Sequence, residues 1–266
     1  MFETKKRRRK RLMKTPLPPD WLAIVERNVP YYRMLPPQDQ AELQGLIQVF
    51  LAEKRFEGLG GLEITDEIRL TIAAQACILL LRRKTDFYPL LVSILVYPQA
   101  YVAPVQRRAP GGVVSEGVQP LAGQTWDKGS LVVSWHDVVR GAANIRDGRN
   151  VVFHEFAHQL DTETGTADGT PSLPDASMYA AWARTFGREY KALIRDIEQN
   201  RPTLIDSYGA ISPAEFFAVA TEFFFERPVQ LRERHGELYK LLKMFYLQDP
   251  ASLYARSTSR PERDAL

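Results

Sequence analysis

The chain has 266 residues, of which 45% are hydrophobic and 25% charged, a composition typical of a globular fold of one large domain or two small ones. Its longest apolar runs are too short to span a bilayer, so a membrane partner is not expected, and its single cysteine excludes an intrachain disulfide. The formal charge of +3 is unevenly spread: residues 5–11 are seven consecutive basic residues, and subtracting seven from +3 leaves the rest of the chain at −4.

The basic run near the N-terminus is predicted to belong to a disordered tail comprising residues 1–15. Pro16, Pro18 and Pro19 separate it from the fold. No apolar segment follows the run, so it does not have the form of a secretory signal, and a cytoplasmic location is expected. The alternative is a segment that binds nucleic acid or another acidic surface. Because nothing else in the chain resembles a nucleic-acid-binding module, a nucleic-acid partner is not expected.

Residues 16–255 are predicted to form one α+β domain, mainly helical with a small mixed sheet, and residues 256–266 a disordered C-terminal tail. Helices are expected at about 20–29, 36–55, 65–83, 150–161, 176–199, 212–226 and 229–247. A buried strand is expected at 90–96 and short β segments at 101–139, of which 131–135 is the clearest. That last strand either borders a cleft, where it pairs with an extended substrate, or is plain sheet structure.

The most informative stretch is His154-Glu155-Phe156-Ala157-His158, an H-E-x-x-H motif in a predicted helix. Residues four apart share a helix face, so His154 and His158 can direct two imidazole nitrogens at one metal ion, with Glu155 near a water on that ion. The pattern is typical of zinc metallopeptidases, in which the glutamate is the general base. Asp161 returns to the histidine face and is predicted to orient a ligand imidazole. The simpler alternative is an amphipathic helix with two polar histidines on its exposed face.

A catalytic zinc site needs a third protein ligand from elsewhere in the chain. The phenylalanine-rich helix predicted near the C-terminus offers Glu215 and Glu222, which are seven residues apart and share one face. Glu215 also fits a capping box with Ser212, and spacing alone leaves the two glutamates nearly tied. Glu163 and His136 are weaker candidates, because the glutamate lies in a loop too close to the motif and the histidine is expected to be a surface or capping residue.

Several stretches resemble the Mlc titration factor A family of bacterial zinc peptidases. They are His-Glu-Phe-Ala-His-Gln-Leu-Asp at 154–161, Asp-Ser-Tyr-Gly at 206–209, Ser-Pro-Ala-Glu-Phe-Phe-Ala at 212–218, Ile-Ala-Ala-Gln-Ala-Cys at 72–77, the segment 131–137 and Tyr-Leu-Gln-Asp-Pro at 246–250. That family is in turn similar to the catalytic domain of anthrax lethal factor, which has a Tyr-Gly segment followed by Ala-Glu-Phe-Phe-Ala. The resemblance implies a zincin-like fold, with the small sheet bordering the active-site cleft.

The resemblance also implies roles for the candidate residues. It implies that Glu215 is the third ligand of one zinc ion per chain, and that Tyr208 donates to the oxyanion formed at the substrate carbonyl. Glu222, like Asp161, is then expected to orient the metal ligands without binding the metal itself. The implied partners are a peptide or protein substrate and the glucose-responsive repressor Mlc, whose titration releases the repression of sugar-uptake genes.

The predicted activity is hydrolysis of a peptide bond by a zinc-activated water, whose proton Glu155 takes as general base. Whether the enzyme is an endopeptidase or an aminopeptidase stays open. A second hypothesis is a regulatory module that binds the repressor with little or no catalytic activity, although no residue identifies a repressor-binding surface. A third and weaker idea is nucleic-acid binding through the basic tail.

Overall fold

The computed structural model describes residues 3–99, 101–108, 114–121, 123–124 and 129–258, and this part of the chain is mainly helical. Its α-helices, in chain order, are α1 (Lys5–Leu12), α2 (Pro19–Asn28), α3 (Tyr31–Met34), α4 (Pro37–Glu53), α5 (Asp66–Ile78), α6 (Trp135–Ala143), α7 (Val151–Thr162), α8 (Met178–Glu198), α9 (Pro213–Glu226), α10 (Pro228–Arg234), α11 (Gly236–Tyr246) and α12 (Pro250–Thr258). A 3₁₀ turn at Ser207–Ala210 precedes α9. Helices α2, α4, α7, α8 and α9 confirm the predicted spans to within two residues at each end.

A small sheet accompanies the helices. The strands are β1 (Arg55–Gly58), β2 (Ser93–Tyr97), β3 (Tyr101–Arg108), β4 (Val114–Leu121), β5 (Gly123–Gln124) and β6 (Ser130–Ser134). Strands β1, β2 and β6 run parallel, β5 pairs antiparallel with β6, and β3 and β4 form a separate antiparallel pair. The four-stranded sheet is therefore mixed, as predicted, and both β5 and β6 contact α7, the helix with the histidine motif.

The hydrophobic core surrounds α7, which packs against both α5 and α9. Every residue from Leu70 to Ile78 is buried, so α5 is covered on all sides, as its nearly continuous apolar sequence predicts. Helix α9 buries five phenylalanines, each of which stabilises the fold by about 1.5–3 kcal/mol on burial. Rings that pack edge-on against these phenylalanines include Tyr31, Trp182 and Phe245. The packing of these rings fixes the position of α9 against the core and therefore of the carboxylates that it carries.

The basic N-terminal run is folded, and the prediction of a disordered tail is wrong for Lys5–Leu12, which form α1. The guanidinium of Arg9 makes two hydrogen bonds to the carboxylate of Glu53, each 2.7 Å long, and a further one to Asp86. The same guanidinium lies 4.7 Å from the centroid of the Phe87 ring. These partners are far from Arg9 in sequence, so a local charge pattern does not reveal them.

The end of α1 also approaches α4 closely. A Cβ atom added at Gly45 of α4 would lie 2.5 Å from the carbonyl oxygen of Met13, so the glycine leaves the space in which the chain after α1 packs. Leu12 and Met13 are partly buried against the hydrophobic core. The N-terminal segment is thus attached to the fold by packing as well as by charge.

Three further predictions of element boundaries are wrong. Helix α5 ends at Ile78 instead of about residue 83. The helix predicted at 229–247 is divided into α10 and α11, because His235 has a non-helical backbone and Gly236 follows it. The strand predicted at 90–96 begins only at Ser93, as β2. Strand β6 confirms the strand predicted at 131–135 to within one residue at each end. The hydroxyl of Ser134, its last residue, accepts from the N–H of Asp137 at 3.3 Å and caps the unpredicted helix α6.

The C-terminal prediction is wrong for residues 256–258, which continue α12, while residues 259–266 lie outside the described residues. That residues 16–255 form a single domain stays a prediction. Within the described ranges, no helix combines the length and apolarity that crossing a membrane requires.

Candidate metal centre

Helix α7 begins at a side-chain cap and places the motif beside the core. The side-chain oxygen of Asn150 accepts from the N–H of Phe153 at 3.0 Å, as an N-cap residue does. Phe153 and Phe156 are buried on the core side, as predicted. His154 is only 9% exposed, which disagrees with the simpler alternative of two histidines on a solvent-exposed face.

Three side chains converge next to this helix: His154 and His158 from α7, and Glu215 from α9. The Nε2 atom of His154 lies 3.2 Å from Nε2 of His158 and 3.0 Å from Oε2 of Glu215. Nε2 of His158 lies 3.4 Å from the same carboxylate oxygen. Atoms that bind one zinc ion tetrahedrally at about 2.0–2.1 Å lie about 3.3 Å from one another. The spacing of the three donor atoms therefore fits a single ion of this kind.

The charges around these donors favour a cation. Burial opposes protonation of His154, but hydrogen bonds with Glu215 and Glu222 raise the pKa of its imidazole well above the ordinary value. Burial likewise raises the pKa of Glu215, but His154 and His158 outweigh it and lower the pKa to about 2. An ionised carboxylate and two imidazole nitrogens around one point form a donor set typical of zinc.

Glu155, the predicted general base, is 6% exposed and sits between the two histidines in the chain. Burial raises the pKa of its carboxyl, an effect that the neighbouring His154 and His158 reduce. A carboxyl with a raised pKa exchanges protons more readily near neutral pH than an ordinary glutamate does. The electrostatic environment of Glu155 thus suits proton transfer.

Glu222 and Asp161, the two predicted orienting residues, occupy different surroundings. Oε1 of Glu222 lies 3.5 Å from Nδ1 of His154, on the side of the ring opposite Glu215. Asp161 is fully buried, and its Oδ2 accepts from the N–H of Gly169 at 2.8 Å. No hydrogen bond between Asp161 and either histidine is present in the described part of the chain. The structure therefore brings Glu222, but not Asp161, into contact with a candidate ligand.

Asp161 instead fixes the loop that follows α7. Gly169, its partner, has a φ of +80°, and a Cβ atom there would lie 2.4 Å from the carbonyl oxygen of Pro213. The indole N–H of Trp182 donates to the carbonyl of Gly169 at 3.0 Å. Asp161 thus holds a tight turn against the first residue of α9, two residues before Glu215.

Tyr208 lies at the edge of the site. Its ring centroid is 5.8 Å from that of His154, and the residue is 51% exposed, so it is not a core tyrosine. Its backbone N–H donates to Asp206 at 3.0 Å, and Asp206 also accepts from Arg149, just before α7. Burial of the phenol and the nearby charge of Glu215 raise the pKa of Tyr208, so the phenol stays protonated near neutral pH.

The weaker ligand candidates do not reach the site. His136 has an exposed side chain, and its Nδ1 lies 3.2 Å from Asp137. Glu163 follows α7 as its C-cap, and neither residue belongs to the group of converging donors.

Asn150 and Glu226 are two residues whose roles the sequence interpretation missed. The backbone N–H of Asn150 donates to Oε1 of Glu222 at 3.2 Å. The backbone N–H groups of Gly148 and Arg149 both donate to Oε2 of Glu226 at 3.0 Å. The asparagine immediately before the motif helix is a capping signal that the sequence does contain. Glu226 carries no local signal, because its partners come from another segment of the chain.

Two histidines one helical turn apart and a glutamate from a second helix define the class of protein: an α+β fold with a candidate site for one metal ion. The family model described as "Glucose-regulated metallo-peptidase M90" matches residues 3–247. The chain belongs to this family, and the metallopeptidase family implies a metal. The matched residues include α1, so the basic helix is part of the region that the family model covers.

Individual relatives agree with the family assignment. The chain is 44% identical to the uncharacterized protein slr2042 of Synechocystis sp., over 91% of this chain and 89% of the relative. It is 31% identical to Mlc titration factor A of Pectobacterium atrosepticum, over 86% of each chain. It is also 30% identical to Mlc titration factor A of Escherichia coli O1:K1, over 84% of each chain.

Proposed function

We propose that this chain is a zinc-dependent metallopeptidase with a zincin-like fold, whose zinc ion is held by His154, His158 and Glu215. The observation that carries the proposal is the spacing of 3.0–3.4 Å among the three donor atoms. Membership of a family described as metallopeptidases supports it. Three protein ligands also leave one tetrahedral position open, as catalytic zinc sites require.

When bound, zinc supplies Lewis-acid activation of water and of the substrate carbonyl, and the side chains of the protein move the protons. Glu155 is the proposed general base: it takes a proton from the attacking water and passes it to the leaving amine. The raised pKa that burial gives this carboxyl supports both halves of the transfer.

Tyr208 is the proposed donor to the oxyanion. Its phenol makes no hydrogen bond to another described residue, and its exposure leaves it accessible to a substrate next to His154. A protonated phenol there can donate to negative charge that develops on the carbonyl oxygen. Glu222 is proposed to orient His154 through Nδ1, and Asp161 to act indirectly, through the Gly169 turn.

A second proposal is that the chain binds a repressor of the Mlc type in the cytoplasm. It is supported by the relatives named Mlc titration factor A, which are 30–32% identical over most of this chain. Repressor binding can coexist with peptidase activity. The alternative is a repressor-binding module with little or no catalysis.

The zinc-peptidase proposal is tested by elemental analysis of the purified protein and a peptide-library digest. We expect about one zinc per chain, as in a mononuclear site, and peptide cleavage. The Glu155→Gln variant should retain zinc and lose hydrolysis, whereas the double variant His154→Ala, His158→Ala should lose both. Stoichiometric zinc in the double variant would exclude the proposed ligands. Repressor binding without any hydrolysis by the wild type would favour the binding module.

A further inference from the structure

A buried chain of hydrogen bonds runs from helix α5 to the metal centre through Asn150. The side-chain NH₂ of Asn150 donates to Oε1 of Gln75 at 2.9 Å, while its side-chain oxygen accepts from Phe153. The backbone N–H of Asn150 donates to Oε1 of Glu222, the carboxylate that lies 3.5 Å from Nδ1 of His154. Gln75 is 1% exposed and Asn150 2%, so water does not compete for these bonds.

The direction of each amide in this chain is determined by its neighbours. The NH₂ group of Gln75 donates to the carbonyl of Thr71, one turn earlier on α5, at 3.0 Å. Its oxygen is therefore turned towards Asn150, and an oxygen can only accept. If the Asn150 amide were reversed, its oxygen would face the oxygen of Gln75, and its NH₂ would face the N–H of Phe153. Both contacts would be repulsive in a buried site, where unpaired polar groups are costly.

The surroundings of Asn150 leave it little freedom to move. A Cβ atom added at Gly141 of α6 would lie 3.1 Å from the Cα of Asn150, so α6 approaches its backbone closely. Helix α5 holds its side chain through Gln75, and α9 holds its N–H through Glu222. The residue that begins the motif helix is thus located by three other helices at once.

We infer that Gln75 is a positioning residue for the metal centre. By orienting the amide of Asn150, Gln75 sets where α7 begins. The backbone N–H of Asn150 in turn keeps the carboxylate of Glu222 beside Nδ1 of His154. Gln75 lies among the residues of α5 and is not within the group of converging donors, so its effect on the metal is indirect. This inference rests on the proposed metal site.

The test compares zinc affinity and thermal stability in two matched variants. Gln75→Met keeps the length of the side chain but removes both of its hydrogen bonds. Gln248→Met is the control, because Gln248 is also buried, at 4% exposure, and donates to the carbonyl of Ile78 at 2.8 Å, at the end of the same helix. Both variants should lower the melting temperature of the zinc-free protein. Zinc Kd is measured by competition with a chromophoric chelator.

We expect Gln75→Met to raise the zinc Kd about tenfold, the lower end of the range for lost outer-shell partners, and Gln248→Met to leave it within about twofold of the wild type. Gln75→Glu retains an acceptor for Asn150 and, in its protonated form, a donor for Thr71. Its Kd should therefore lie below that of Gln75→Met. If Gln75→Met does not fold, Gln75→Asn replaces it, because this amide is one methylene too short to reach Asn150.

Two outcomes would overturn the inference in distinguishable ways. A Gln75→Met Kd equal to that of the Gln248→Met control, with a wild type that binds zinc, would show that Gln75 contributes only to stability. A wild type that binds no zinc would remove the metal site itself, and the positioning role with it.

Discussion

Glu215 makes two interactions with different parts of its structure. Its backbone N–H donates to the hydroxyl of the N-cap Ser212 at 3.2 Å, while its carboxylate faces His154 and His158. The capping box that the sequence suggests is therefore only half formed. Since the backbone alone satisfies the cap, the side chain is available to the imidazoles, and the two interpretations of Glu215 do not exclude each other.

Glu215 and Glu222 have different proposed roles, as a metal ligand and as a partner of the ligand His154, so their removal should have different effects. Glu222→Ala should weaken zinc binding about 10–100-fold, the range for a lost partner behind a ligand. Glu215→Ala should weaken it further, because a donor atom itself is lost. Zinc Kd by chelator competition checks both variants. If Glu222→Ala proved the more damaging, the assignment of the third ligand would be reversed.

Tyr208 allows catalysis to be separated from metal binding. If its phenol donates mainly in the transition state, Tyr208→Phe should lower kcat with little change in KM. Loss of one oxyanion donor costs about 10²–10³ in rate, or about 3–4 kcal/mol. Zinc content and melting temperature should hardly change, because the ring is half exposed and its packing is retained. A kcat within about threefold of the wild type would remove Tyr208 from the mechanism.

At the scale of elements, α9 connects the metal centre to the start of α7. Glu215, Glu222 and Glu226 are seven and four residues apart, and all three face α7 or the segment before it. Glu215 contacts the two histidines of the motif. Glu222 contacts Nδ1 of His154 and the N–H of Asn150, and Glu226 contacts the N–H groups of Gly148 and Arg149. Any shift of α9 along its axis would move all three contacts together.

Helix α1 offers a second prediction at this scale. Arg9→Ala removes the salt bridges to Glu53 and Asp86 and the contact with Phe87, and should cost about 1–2 kcal/mol of unfolding free energy, given the part-exposed site. Arg7→Ala on the same helix is the control, because Arg7 has an exposed side chain and the bond it makes is through its backbone. Urea denaturation compares them. Equal stability of the two variants would show that the Arg9 contacts contribute nothing to the fold.

At the scale of the whole molecule, charge is distributed so that acidic residues anchor the basic segment. The chain outside residues 5–11 has a formal charge of −4, and two of its carboxylates bind Arg9. Most of the other basic side chains of α1 are exposed. The basic run is therefore part of the folded molecule, and its charge is presented from a helix attached to α4.

The buried carboxyl of Glu226 predicts how overall stability depends on pH. Burial raises its pKa from 4.5 to about 9, although the nearby side-chain amide of Asn150 lowers it. Between these values the folded state holds a proton that the unfolded state has released. The free energy of unfolding therefore falls as pH rises, by at most about 1.4 kcal/mol per pH unit from this group.

Glu226→Gln should remove this contribution, so the stability of the variant relative to the wild type should increase from pH 5 to pH 9. Denaturation of both zinc-free proteins at several pH values checks it. Asp147, Glu222 and Tyr254 also lie close to Glu226, but they are the same in both proteins. A difference in stability that does not change with pH would show that Glu226 is ionised in the folded state near neutrality.

The elements that the sequence predicts well are those whose signals are local. Apolar periodicity and capping residues identified α7 and α9 closely, and the i, i+4 spacing placed His154 and His158 on one face of a helix. The division of α10 from α11 and the helix α6 were missed, because their boundaries depend on backbone angles and on a cap at Ser134 that follows a strand. Local sequence does not show whether one long helix or two shorter ones is lower in free energy, or whether a strand continues or gives way to a helix at Ser134.

The sequence by itself determined that this chain has a two-histidine motif on a helix, a glutamate-bearing helix and an α+β composition, since each of these depends on residues close together in the chain. Only the tertiary structure decided that Glu215 and not Glu222 lies with the histidine Nε2 atoms, that Asp161 holds Gly169, and that Gln75 reaches Asn150. It also decided that α1 is folded, through Glu53 and Asp86. These contacts join residues that are 8 to 77 positions apart in the chain. They can stabilise the fold only once the core has brought those segments together, because closing such loops costs conformational entropy.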